Sequence, residues 1–281
     1  MVAALLFWLL QWGQPGRVSV VLALDLSNST YTNGVLNGPG TVSAEAIQAT
    51  KDYIDASSRL RVPNQVQVLG FGGAVVPLTP EFSQDRETLV QAIDEAVAPN
   101  APTNVASRVM PNDTSISLAI KEGIQSLENA PVGCRELLVI TDGNDELDSA
   151  QVSGAIASGI KLSFIVISQE PTNFTNAVAQ SGGIYLVANA AGELSSLLVD
   201  RFFPKINSNL QWILLWLGAA WIALMWMLVL PLDRFLQKFG GIRFDHSGQI
   251  AMGHALFWSA ATPGIVWKLL QILKLPFFSQ C

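Results

Sequence analysis

Asp25-Leu26-Ser27-Asn28-Ser29-Thr30 gathers one carboxylate and three hydroxyls into six residues, directly after the apolar run Val18–Leu24. A similar arrangement follows Leu137–Thr141, where Asp142 opens the turn Asp142-Gly143-Asn144-Asp145. Both runs are short and rich in β-branched residues, the composition of strands buried on both faces. A carboxylate at the mouth of such a strand is expensive to desolvate without a partner. In an open α/β sheet, ligands bind beyond the carboxyl ends of the strands, where the strand order reverses. If the two strands are neighbours at that point, their carboxylates repel, and one would take up a proton unless a cation lay between them. The donors on offer are hard oxygens, with no imidazole or thiolate. That set selects Mg²⁺, with Mn²⁺ or Ca²⁺ as substitutes, over zinc or copper. Few carboxylates and several hydroxyls make a weak site that keeps water and one open position, which an acidic side chain from another molecule can fill.

The elements that must position these groups alternate along the chain. Further strand-like runs lie at 66–71, 74–78, 162–167 and 184–187. Between them, Leu89, Ile93 and Val97 share one helical face, as do Ile116, Ile120, Ile124 and Leu127. Thr79-Pro80 and Asp113-Thr114 are the expected helix starts. Alternating units of this kind predict a mostly parallel sheet covered by helices on both faces. The short link Gly72-Gly73 predicts a hairpin, hence one antiparallel edge strand. Two Gly- or Pro-rich stretches, 30–41 and 98–113, fit neither pattern. Loops of that length are usually functional or disordered, and each adjoins a candidate metal residue, Ser29 or Thr114.

Composition divides the 281 residues in two. All eight Trp lie outside residues 13–208, and that region carries a net charge of −9 against +3 for the rest. An acidic domain argues against nucleic acid as its partner. Two cysteines are too few for a disulfide scaffold or a cysteine-built zinc site. Leu210–Leu230 has no charged residue; as one helix it would extend ~32 Å, about the hydrocarbon thickness of a bilayer. A transmembrane helix is therefore expected over 209–231, after a domain at 13–205. Arg234, Lys238 and Arg243 follow it, against Arg201 and Lys205 before it. By the positive-inside rule the basic flank is cytoplasmic and the domain extracytoplasmic. Residues 232–281 form a basic loop and a membrane-associated tail. Within that tail, 250–267, broken at Pro263-Gly264, reads as a second kinked or re-entrant helix, and 268–278 as an interfacial one. Residues 1–12 are apolar but too short to span; they read as an uncleaved segment dipping into or lying on the membrane.

Taken together, Asp25, Ser27 and Ser29, then Thr114, then Asp142 resemble the metal-ion-dependent adhesion site of von Willebrand factor type A domains, over roughly residues 17–203. The resemblance implies a doubly wound sheet of Rossmann type. It also implies a Mg²⁺ held by those five residues and completed by a partner protein's Glu or Asp, usually without catalysis. Asp113 and Asp145 would touch the ion only indirectly. Asp113 stands where that family often has Gly, and is expected to cap a helix over 114–127. The order of domain and membrane segment resembles membrane-anchored bacterial proteins of the family, which implies a subunit or assembly factor of a membrane complex.

Two other readings stay open. Asp25 could serve as the nucleophile of a Mg²⁺-dependent phosphohydrolase. Such enzymes generally want a carboxylate two residues on, where this chain has Ser27, and a phosphate-holding lysine, whereas Lys121 falls on a helix body. Alternatively the chain is a purely structural membrane subunit with an unused metal site. Phosphate-loop, nucleophile-elbow and H-E-x-x-H signatures are missing from the sequence, and His246 and His254 both lie in the tail.

Overall fold

The computed structural model describes residues 18–31, 38, 40–98, 105–130, 133–143, 147–167, 172–207, 210–241 and 243–272. It divides into two compact units, Gly16–Asn207 and the residues from Ser208 onward. In the first, every residue of β1 (Val18–Asp25) is buried, because both faces of this strand are covered. Val20, Leu22 and Leu24 enter one apolar core and Val21 and Ala23 the other. Alternation along β1 therefore feeds two layers of helices at once.

Around β1 the sheet adds β2 (Gln65–Phe71), β3 (Val75–Pro77), β4 (Cys134–Thr141), β5 (Ile160–Ile167) and β6 (Tyr185–Ala188), in the order β3-β2-β1-β4-β5-β6. All neighbours are parallel except β3, which turns back on β2 through the Gly72-Gly73 link. The chain thus leaves β1 toward β2 and later returns to its other side as β4. That reversal, between the carboxyl ends of β1 and β4, opens the crevice where such sheets bind ligands.

One layer holds α1 (Val42–Ser58), which buries Ile47, Tyr53 and Ile54, and α2 (Arg86–Val97), which buries Leu89, Ile93 and Val97. The other holds α3 (Ile116–Glu128), α4 (Ser149–Ala157) and α5 (Thr172–Ser181). Gly123 lets α3 lie close on β4, since a Cβ there would stand 2.6 Å from Leu137 Cδ1. The expected helix start at Thr79-Pro80 is not realised. The Thr79 hydroxyl instead accepts from the Val68 N–H at 2.9 Å, and α2 begins six residues later, capped by the Asp85 carboxylate on the Thr88 N–H. Past β6 the domain closes through a π-helical turn, Leu197–Phe202, and Phe202 and Phe203 pack on the Tyr53 ring.

The second unit contains α6 (Leu210–Met227), α7 (Val229–Gly240) and α8 (Phe244–Ile272). Among the described residues no single helix is long and apolar enough to cross a membrane; Ile213–Met227 and Val229–Gly240 pass by length and composition only as a pair, bent by 42°. The uninterrupted helix expected over 209–231 breaks at Leu228 because Pro231 has no N–H to give the Met227 carbonyl and crowds it. Conversely, α8 runs through Pro263, where a break is expected. Hydroxyls tie down its carbonyls nearby, Thr262 Oγ1 on Trp258 O at 2.6 Å and Ser259 Oγ on Ala255 O at 2.9 Å. Trp226 Nε1 of α6 donates to Ser259 Oγ of α8 at 3.0 Å. Residues 1–12 and 273–281 lie outside the described residues.

A carboxyl is buried in the body of the sheet. Glu136 of β4 is 3% exposed, accepts a hydrogen bond from Ser163 Oγ, and lies near Tyr53. Burial pushes its carboxyl up to about 7, against the opposing pull of the Ser163 hydroxyl and the Lys161 charge. Between its ordinary 4.5 and about 7 the folded domain keeps a proton that the unfolded chain has lost. Stability therefore falls as pH rises through that window and levels off above it. Glu136→Gln should flatten the slope and stabilise the domain at pH 8 by roughly 2–3 kcal/mol. Urea unfolding at pH 5 and pH 8 checks this; an unchanged difference between the two pH values counts against it.

Candidate metal centre

Asp25 is the last residue of β1 and is 2% exposed. Its Oδ1 accepts from the Ser27 N–H at 3.0 Å and from Ser27 Oγ at 2.6 Å, and its Oδ2 from Thr141 Oγ1 at 2.7 Å. Residues Asn28–Thr30 form one 3₁₀ turn, closed by the Thr30 hydroxyl on Ser27 O at 2.7 Å. That turn brings Ser29 Oγ within 2.9 Å of Ser27 Oγ. Exposure rises along the row, from buried Asp25 and Ser27 to exposed Ser29, so the hydroxyl side of the group faces outward.

Asp142 follows β4, the other strand at the reversal. Gly143, with φ 82°, turns the chain there, and its N–H donates to Thr141 Oγ1 at 3.1 Å. Thr141 thus links the two strand ends, donating to Asp25 and accepting from the turn behind Asp142. Burial, above all, raises the Asp25 pKa; hydrogen bonds from Ser27 and Thr141 oppose it, and the Asp142 charge adds to the rise. Asp142 Oδ1 is buried and has no hydrogen-bond partner. An orphaned carboxylate oxygen beside a second carboxylate is unfavourable for the protein alone and fits a cation. Among the described residues no three His, Cys, Asp or Glu gather anywhere, so an ion here must take hydroxyls with the two carboxylates. Asp25, Ser27, Ser29 and Asp142 are four residues that would hold it. Such donors suit a hard divalent cation.

Thr114 reaches the same edge by a different route. The Asn28 N–H donates to Pro111 O at 2.7 Å and the Ser115 N–H to Gly72 O at 2.9 Å, so residues 111–115 are held against the ends of β1 and β2. Thr114 is not helical: Ser115 caps α3 through its side chain on the Leu118 N–H, and the helix starts at Ile116. Asp113 is therefore not the cap. It is exposed, and its carboxylate turns back on the Thr114 N–H at 2.9 Å. Asp145 lies outside the described residues.

Two residues escape the sequence reading. Thr141 has no assigned role there, though a lone hydroxyl ending an otherwise apolar strand is a signal. Asn28 has no ligand role but bonds the loop opposite through Nδ2 to Asn112 Oδ1 at 2.5 Å; no local pattern announces a contact across 84 residues. Among the described residues no basic group acts on Asp25, and Lys121 is exposed on α3.

No family model matches the sequence, and no curated protein matches it significantly. Solved structures do match. A von Willebrand factor type A protein from Catenulispora acidiphila superimposes with TM-score 0.51 at 17% identity, covering 68% of this chain and 43% of that one. Proximal thread matrix protein 1 of the mussel byssus gives 0.51 at 16% identity, covering 69% and 48%. A further structure of that mussel protein, with a zinc-occupied MIDAS motif, gives 0.50 at 16% identity over the same shares. At such identities the likeness is one of fold, and this chain spans less than half the length of each.

Thr141→Val keeps the shape of the side chain but strips Asp25 of one donor and Gly143 of its acceptor. The variant should lose about 1–3 kcal/mol of stability without metal and bind Mg²⁺ roughly tenfold more weakly. Thermal unfolding across a Mg²⁺ titration, after chelation, measures both.

Proposed function

We propose that this domain, which has the von Willebrand factor type A fold, holds Mg²⁺ through Asp25, Ser27, Ser29, Thr114 and Asp142 and uses it to capture a protein partner. The observation that carries the reading is the orphaned Asp142 Oδ1 beside an Asp25 already clad in hydroxyl donors. Two protein carboxylates leave the ion short of ligands, and an Asp or Glu of the partner completes it. Among the described residues both Asp25 oxygens are engaged by Ser27 and Thr141, and no lysine acts on it. On this reading the domain binds without turnover. Mn²⁺ or Ca²⁺ would serve the same donors less selectively.

The second unit is the anchor. Large apolar side chains stand exposed along it, among them Trp216, Leu217, Met227, Leu230, Phe235 and Phe239. Lipid, rather than water, is the solvent such a surface suits. The bent pair α6–α7 would enter the bilayer through α6, with Arg234 and Lys238 of α7 and Arg243 beyond it at the cytoplasmic interface and the domain outside, as part of a larger membrane complex.

The test is co-purification of the detergent-solubilised full chain with its partners, with Mg²⁺ and with chelator. Asp142→Ala should abolish Mg²⁺-dependent capture while the protein stays in the membrane fraction. Capture that survives both the chelator and Asp142→Ala would mean a structural subunit with an unused site. Phosphatase activity lost in Asp25→Asn would replace binding by catalysis.

A further inference from the structure

Met110 has φ 51°, the one positive φ at a non-glycine position among the described residues, and it is 63% exposed. Both features are unfavourable. A left-handed backbone crowds an L side chain, and an exposed apolar side chain gains nothing from burial. Glycine would take the same turn without strain.

The turn is braced on three sides. The Met110 carbonyl accepts from the Gly73 N–H at 3.0 Å and the Asp113 N–H at 3.2 Å, and the Val109 carbonyl from the Ala74 N–H at 2.9 Å. Asn28, lying between Ser27 and Ser29, bonds Pro111 and Asn112. Gly72 permits this close approach, since a Cβ there would stand 2.6 Å from Val109 O. An exposed methionine on a strained, braced backbone thus stands beside the hydroxyl turn of the metal centre, and the exposed Asp113 carboxylate stands three residues on. Strain maintained by so many bonds is characteristic of functional positions.

We infer that Met110 and Asp113 set which protein segments the metal centre accepts: a lone Asp or Glu flanked by an apolar residue. The apolar neighbour packs on Met110, a flexible and polarisable contact. Asp113 repels a second acid, so acidic runs are rejected. This rests on the metal-mediated capture proposed above and adds the sequence context of the captured acid.

Selection of a random displayed-peptide library on the full-length protein in detergent, with Mg²⁺ and with chelator, tests it. Mg²⁺-dependent peptides should carry a single Asp or Glu next to Leu, Ile, Val, Met or Phe. Met110→Gly should keep Mg²⁺-dependent binding, match or exceed the parent in thermal midpoint, and bind the selected peptides about 5- to 10-fold more weakly, with the apolar preference gone. Asp113→Asn should admit acidic runs. Unchanged affinity and preference in Met110→Gly, or acidic runs selected by the parent protein, overturn the inference while leaving metal-mediated capture standing. No enrichment that depends on both Mg²⁺ and Asp142 overturns capture itself, and this inference with it.

Discussion

Two parallel strands run side by side here; β1 ends in a carboxylate, Asp25, and β4 is followed at once by another, Asp142. Asp25 is almost wholly buried, and its oxygens are committed to Ser27 and Thr141. Asp142 adds a second negative charge with a buried oxygen bonded to nothing. Burying one carboxylate is tolerable when hydroxyls and amides surround it. A neighbouring second one calls for compensation, by a proton or by a cation. The sheet order, the fully buried β1, the close seating of α3 on Gly123 and the Gly143 turn all hold this pair in register. Their shared effect is to keep the negative potential from relaxing by movement of either strand.

The pattern of the fold was legible because β1, β4 and β5 are covered on both faces and so read as unbroken apolar runs. The hairpin was legible because two successive glycines between apolar runs leave little else to build. Boundaries were less so. Thr79-Pro80 has the chemistry of a helix start, but its hydroxyl is claimed by Val68 on the neighbouring strand, a tertiary contact that outranks local propensity. Asp113 loses the cap to Ser115 for a similar reason, because the Ser115 N–H is drawn to Gly72 and delays the first helical turn.

For the site, residue types in order suggested which side chains to look at, since chemistry at strand ends is local. What sequence could not supply was the connection between them. Thr141 bridging two strands and Asn28 clasping Asn112 depend on segments more than eighty residues apart, and the strain at Met110 is invisible in an unremarkable Val-Met-Pro. In the second unit the apolar composition was plain, but the break at Leu228 turns on Pro231 standing one turn after Met227, and α8 continues through Pro263, where local chemistry suggests a stop.

The two outer strands of the sheet carry a further consequence. β3 has three residues and ends in Pro77, and β6 has four. So little unpaired backbone at either border leaves almost no template on which another copy could extend the sheet. Exposed, unpaired strand edges are where chains add to one another and aggregate. Clipped borders let copies meet without zipping into a shared sheet.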